Sequence, residues 1–215
     1  MLQSFEVTSD PGAGVDRLAR LRVAMAAEGL DGFLVPRADA QQGEYVAARD
    51  ERLGWLTGFT GSAGFCAALA DVAGVFVDGR YRVQVREQVA DVYSPVNWPE
   101  VQLGSWLKER LPQGGVIGFD PWLYSVAQIE QLRGQLDGSG ITVRDSRNLV
   151  DAIWEDQPIG PCEPVFAHPI EFAGESHADK RTRLAEGLCT AGPAAALLTL
   201  PASIMWLLNI RGAGI

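Results

Sequence analysis

Short apolar runs alternate with helix-patterned stretches through the first two-thirds of this chain, and that alternation restricts the fold more than any other feature. The runs fall at residues 32–36, 65–69, 75–77, 116–119 and 141–143, each short enough for a buried strand and bounded by turn formers. Between them, residues 15–28 place Leu18, Leu21 and Met25 on one helical face and end at Gly29. Further helices are predicted over 81–89, 126–136 and 149–154, and 106–111 belongs to another. Asp71-Val-Ala-Gly74 reads as the turn between two of the strands. Strands interleaved with helices imply an α/β domain with a largely parallel or mixed sheet flanked by helices.

Composition narrows the function. Eighteen Lys and Arg against 27 Asp and Glu give a formal charge of −9 over 215 residues, with no basic run. A nucleic-acid or anionic-membrane surface needs clustered positive charge, so neither partner is expected. Two histidines, His168 and His177, leave few ways to run acid–base chemistry or to hold a catalytic metal. Cys66, Cys162 and Cys189 lie far apart without a C-x-x-C spacing, which points to reduced thiols. The first residues lack a basic segment followed by an apolar one, so no signal peptide is read there. Residues 187–210 carry no charge and are long enough for a membrane span, but Pro193 and Pro201 argue against one continuous helix.

After Asp156 the composition changes, with Pro158, Pro161, Pro164 and Pro169 interrupting any regular element. Beyond this stretch the chain repeats itself. Arg183-Leu184, Leu188, Gly192 and Leu197-Leu198 follow Arg20-Leu21, Met25, Gly29 and Leu34-Val35 at an offset of 163. Trp206-Leu-Leu-Asn-Ile-Arg-Gly212 then follows Trp55-Leu-Thr-Gly-Phe-Thr-Gly61 at an offset of 151. The 12-residue difference corresponds to a loop around residues 45–53. The expected organisation is a first domain over 1–156, a Pro-rich linker over 157–174, and an incomplete second copy over 175–215. A copy that stops short would leave strand edges and an apolar helix face uncovered, so the chain reads as truncated.

Candidate chemistry is sparse. The sequence contains no H-E-x-x-H, G-x-S-x-G, Walker or G-x-G-x-x-G motif. Glu175, His177 and Asp179 are close in sequence, but Ser176 as N-cap with Asp179 in the first turn is the simpler reading. His168 reads as a solvated or packed side chain, and Cys66 as an inert core thiol. Gly58, Gly61 and Gly64 read as a tight turn feeding a strand, since no lysine or long helix follows as phosphate binding would require. Asp78-Gly-Arg-Tyr81 lies between a strand and a helix, where α/β folds present functional side chains. Arg80 there has two readings: a structural salt bridge, or a fork for a carboxylate or peptide carbonyl.

Five blocks taken together resemble the N-terminal region of three-domain Xaa-Pro aminopeptidases of the creatinase/prolidase family, peptidase family M24. They are Asp39-Ala-Gln-Gln-Gly-Glu-Tyr45, Trp55-Leu-Thr-Gly-Phe-Thr-Gly-Ser-Ala-Gly64, Val77-Asp-Gly-Arg-Tyr81, Asn148-Leu-Val-Asp-Ala-Ile-Trp154 and Trp206-Leu-Leu-Asn-Ile-Arg-Gly212. The resemblance implies two tandem creatinase-type N-terminal domains ahead of a catalytic domain that is not in this sequence. That catalytic domain would carry two divalent metals, Mn2+ by family habit, so no catalytic or metal-ligating residue is assigned in this chain. It further implies a cytoplasmic homodimeric parent acting on Xaa-Pro peptides, with Arg80 as a substrate-binding residue. The block at Pro201-Ala-Ser-Ile-Met departs from relatives that carry an acidic residue at Pro201 or Ala202. The competing expectation is a non-catalytic interaction or assembly module that reuses the same fold.

Overall fold

The computed structural model describes residues 9–212. In the first part of the chain, helix α1 (Ala13–Ala27) leads into strand β1 (Gly32–Pro36), then α2 (Arg52–Thr57), β2 (Phe65–Leu69) and β3 (Ala73–Val77). Next come α3 (Gln84–Gln88), β4 (Ser94–Asn97), α4 (Leu103–Arg110), β5 (Gly115–Phe119), α5 (Val126–Leu136), β6 (Ile141–Asp145) and α6 (Leu149–Ile153). The remainder contains β7 (Phe166–Ala167), α7 (Ile170–Ala173), α8 (His177–Ala191), α9 (Pro201–Leu208) and β8 (Ile210–Arg211).

The first six strands form one mixed sheet in the order β4-β3-β2-β1-β5-β6. Strand β2 runs antiparallel to β1 and β3, while the pairs β1–β5, β5–β6 and β3–β4 are parallel. The reversal comes from a tight hairpin, closed by the Leu69 N–H donating to the Val72 carbonyl at 2.7 Å. All strands except β2 therefore end on one edge of the sheet, where the start of β2 joins them. Open α/β sheets present their functional side chains along such an edge.

Both faces of the sheet are covered, so the strands read as continuous apolar runs. Phe33 and Val35 face α1, α2 and α6, where they meet Leu18, Leu21, Met25, Leu56 and Val150. Leu34 points to the opposite side and packs in a second cluster with Trp106, Leu107, Ile129 and Leu132 of α4 and α5. Each fully buried Leu or Phe of this kind contributes about 1.5–3 kcal/mol by leaving water. Helix α1 stops where glycine permits it: Gly29 has φ +62°. Helix α5 starts at a capping box between Ser125 and Gln128.

The internal repeat has geometric counterparts. Gly192, 163 residues after Gly29, ends α8 in the same left-handed conformation at φ +95°. Asn209, 151 residues after Gly58, takes the left-handed position that ends α9, as Gly58 ends α2. Arg17 lies 4.6 Å from the Trp55 ring and donates to the Trp55 carbonyl. Lys180, its counterpart, lies 4.7 Å from the Trp206 ring and donates to the Trp206 carbonyl at 3.0 Å.

Several expectations change in the structure. The strand anticipated at Leu197-Leu198 does not form, and Leu197 is 89% exposed. Its counterpart β1 is hydrogen-bonded on both sides, whereas no described strand lies beside 197–198. The helix expected over 81–89 contracts to α3, because Tyr81 N–H closes a turn onto the Asp78 carbonyl at 3.1 Å. The hairpin turn at 71–74 is shorter than expected, since β3 already begins at Ala73. The uncharged stretch 187–210 is divided between the end of α8, an irregular segment and α9. Among the described residues no helix is long and apolar enough to cross a membrane.

Candidate functional site

Arg80 sits just beyond the end of β3, in a turn built by Asp78. The Asp78 carboxylate accepts from the Arg80 N–H at 2.9 Å, from Nε at 3.1 Å and from Nη2 at 2.7 Å. Those hydrogen bonds hold Asp78 below the usual carboxylate range and raise the guanidinium in turn. The Arg80 side chain is nevertheless 65% exposed, and Nη1 has no hydrogen-bond partner among the described residues. The two sequence readings are thus compatible: an internal carboxylate orients the fork, and one edge of it remains open. Its guanidinium also lies 5.1 Å from the Tyr81 ring.

Tyr81 connects this turn to the start of β2. Its hydroxyl and Ser62 Oγ are 2.5 Å apart, and this hydrogen bond lowers the phenol pKa from its ordinary value. Ser62 is tied in turn to the end of β1, because Arg37 Nη1 donates to the carbonyls of Ser62 and Glu44 at 3.2 Å each. Arg37 Nη2 reaches Glu51 at 3.3 Å. Burial raises the Glu51 carboxyl despite the opposing pull of Arg37. Arg37 thereby fastens the loop carrying Asp39-Ala-Gln-Gln-Gly-Glu-Tyr45. Within that loop Asp39 accepts from the N–H groups of Gln41 at 3.0 Å and Gly43 at 2.8 Å. Gln42 is held at φ +57°, a conformation that is uncommon outside glycine. Its amide donates to the Leu123 carbonyl at 3.0 Å.

Two of the signature blocks also grip one another. Asn148 caps α6 by accepting from Val150 and Asp151 N–H. Asp151 receives Arg52 Nε and Nη2 at 2.6 and 2.9 Å, and Trp154 stacks on Trp55 at 5.0 Å. Burial pulls the Arg52 guanidinium down, yet Asp151 and Asp50 more than offset it and leave it raised. These residues hold the fold together. Gly58, within the same block, adopts φ +85°, and a Cβ there would overlap the Gln88 carbonyl.

The remaining sequence candidates separate. Cys66 is fully buried, and burial pushes its thiol up to about 12. The His168 ring lies 6.0 Å from Phe172, and its backbone N–H bonds the Asn209 carbonyl. Ser176 caps α8 as expected, Asp179 accepts from its hydroxyl at 2.7 Å, and Glu175 pairs with Arg183 at 2.8 Å. The acids beside His177 are therefore engaged elsewhere. Among the described residues no group of three or more His, Cys, Asp or Glu is placed to hold a metal ion. Sequence reasoning missed Arg37, Ser62 and Tyr81 as a connected group. Only the position of Tyr81 beside Arg80 hinted at it.

The mixed six-stranded sheet, with its single reversed strand and the D-G-R-Y turn at its edge, defines a class: this chain belongs to the creatinase/prolidase N-terminal domain family. Residues 17–153 match that domain, and residues 156–215 match a second creatinase/prolidase N-terminal domain. A probable Xaa-Pro aminopeptidase P of Coccidioides posadasii is 37% identical over 209 residues, which cover 93% of this chain and 33% of that protein. Xaa-Pro aminopeptidase 2 of Rattus norvegicus is 34% identical over 93% of this chain and 30% of its own length. The chain spans about a third of the length of the curated relatives it matches. Among solved structures, the X-prolyl aminopeptidase of Caenorhabditis elegans superposes with a TM-score of 0.85 at 32% identity. The match covers 94% of this chain and 35% of that enzyme, which is described as cytosolic with a di-nuclear active site. The N-terminal domain of the cytoplasmic peptidase PepQ from Mycobacterium tuberculosis gives a TM-score of 0.51 at 26% identity. That match covers 64% of this chain and 98% of the PepQ domain.

Proposed function

We propose that this chain is the N-terminal, non-catalytic part of a metallo-aminopeptidase that releases the first residue from peptides with proline at position two. The observation that carries this reading is the match to the C. elegans enzyme, which spans nearly all of this chain and 35% of that one. In this account residues 1–156 form one creatinase-type domain, 157–174 a linker, and 175–215 the beginning of a second domain. The two divalent metals, Mn2+ in this proposal, belong to a catalytic region outside this sequence. The parent protein is a cytoplasmic homodimer, and this part restricts which peptides reach the metals and supplies assembly contacts.

Within that scheme Arg80 has a defined task. Asp78 occupies Nε and Nη2, which fixes the plane of the guanidinium, and the unengaged Nη1 donates to a carbonyl or carboxylate of the bound peptide. A positioned arginine loses little freedom on binding and discriminates by geometry as well as charge. The test is Arg80→Ala in the full-length protein. A charge-assisted hydrogen bond made to substrate is worth about ten-fold in kcat/KM at an exposed position, with Tm unchanged. Unchanged kcat/KM would return Arg80 to a purely structural role. A full-length protein without metal-dependent turnover would favour the interaction module instead.

A further inference from the structure

A cleft of about 570 Å3 opens between α5 and the sheet edge, with Ser62 on its lining. Its volume falls within the range of roughly 300–1,000 Å3 that small-ligand sites occupy. Leu34, Phe65, Ile129 and Leu132 give it an apolar floor, and Trp98 forms one wall. Trp98 is half-exposed and meets Phe65 edge-on, with ring centroids 6.5 Å apart.

Five glutamines line the cleft, and four of them have one end of the amide already fixed. Gln42 and Gln102 spend their NH2 groups on the carbonyls of Leu123 and Pro99, at 3.0 and 2.7 Å. Gln128 and Gln135 spend their oxygens on the N–H groups of Ser125 and Gly104, at 2.7 and 3.2 Å. The first pair is thus left with a free acceptor each, and the second pair with free donors. Tyr124 also lines the cleft. Burial raises its phenol above the ordinary value, and the hydroxyl has no hydrogen-bond partner among the described residues. Arg37 is the charged residue on the lining, and its guanidinium is already taken by Glu44, Ser62 and Glu51.

We propose that this cleft binds an uncharged, extended peptide segment supplied in trans. An extended main chain presents carbonyl and N–H groups along both sides and sends alternate side chains to one face. Donors and acceptors on the rim match the former, and the apolar floor with its aromatic wall matches the latter. Anionic or cationic ligands find no unengaged opposite charge here. This assignment stands independently of the role given to Arg80.

The test is titration of this chain with an acetylated and amidated tetrapeptide of alternating Leu and Ser, followed by NMR. Saturable shifts are expected at the glutamine side-chain amides and the Trp98 indole, with none at the Trp206 indole. Tyr124→Phe keeps the ring, which packs edge-on against Phe119, and removes only the hydroxyl donor. Gln102→Ala removes an exposed acceptor. Each is expected to weaken binding about three- to ten-fold while circular dichroism and Tm are retained. Absence of saturable shifts would overturn the proposal, as would shifts that neither variant weakens. A free chain that sediments as a dimer and is dissociated by the peptide would overturn it too, by assigning the cleft to a second copy.

Discussion

Replacing Asp151 by alanine removes the carboxylate that holds a buried arginine. The Arg52 side chain is 7% exposed and donates to Asp151 through two nitrogens, at 2.6 and 2.9 Å, and to Asp50 at 2.8 Å. Breaking a fully buried pair by removing one partner costs about 3–5 kcal/mol, because the other charge is stranded. Two features reduce that figure: Asp50 stays in place, and the Asp151 side chain is 29% exposed. The expected loss is about 2–3 kcal/mol, with Tm lowered by about 4–12 °C for a chain of this size. Urea unfolding followed by tryptophan fluorescence reads it directly, since Trp55 and Trp154 stack beside the pair. The double variant Arg52→Met, Asp151→Leu removes both charges of the pair and leaves Asp50 with Arg49 at 3.9 Å, so it is expected to be more stable than the single variant. A loss below about 0.5 kcal/mol in the single variant would refute the reasoning. So would a double variant as unstable as the single.

Two further outcomes follow from the same geometry. With Cys66 buried and its thiol pushed up to about 12, the native protein at pH 8 exposes Cys162 and Cys189 to a thiol reagent while Cys66 reacts only after unfolding. Three fast thiols in the folded protein would contradict the packing. Gly58→Ala forces a side chain into φ +85° and onto the Gln88 carbonyl, so it is expected to destabilise by about 1–3 kcal/mol in a chemical melt. A neutral or stabilising effect would mean that the end of α2 is not held as described.

Much of the first domain is legible in the sequence because its local signals agree with its packing. The spacing of Leu18, Leu21 and Met25 marks the buried face of α1, and the apolar runs mark β1, β2, β3 and β5 because both faces of those strands are covered. Strand β4 escapes notice because it is an edge: only Val96 is buried, and Pro95 breaks the expected pattern. Helix α2 escapes because it opens on a buried arginine whose partner lies 99 residues away, which no local pattern encodes. The same distance problem hides the site. Arg80 is visible from its place after a strand, whereas the link from Arg37 through Ser62 to Tyr81 joins three separate loops. Gln128 is marked by its capping box with Ser125, but Gln42, Gln102 and Gln135 have no signature in the sequence, since their orientation is set by backbone groups of neighbouring turns. Conversely, Leu197-Leu198 carries the pattern of a strand without a described neighbour to pair with it.

The central claim is that the chemistry of the parent protein resides outside these 215 residues. Assaying this purified chain beside the full-length protein, with Mn2+ and an Xaa-Pro peptide, tests that claim most directly. The account predicts metal-dependent release of the first residue by the full-length protein and none above background by the chain. Metal-dependent turnover by the chain itself would contradict it.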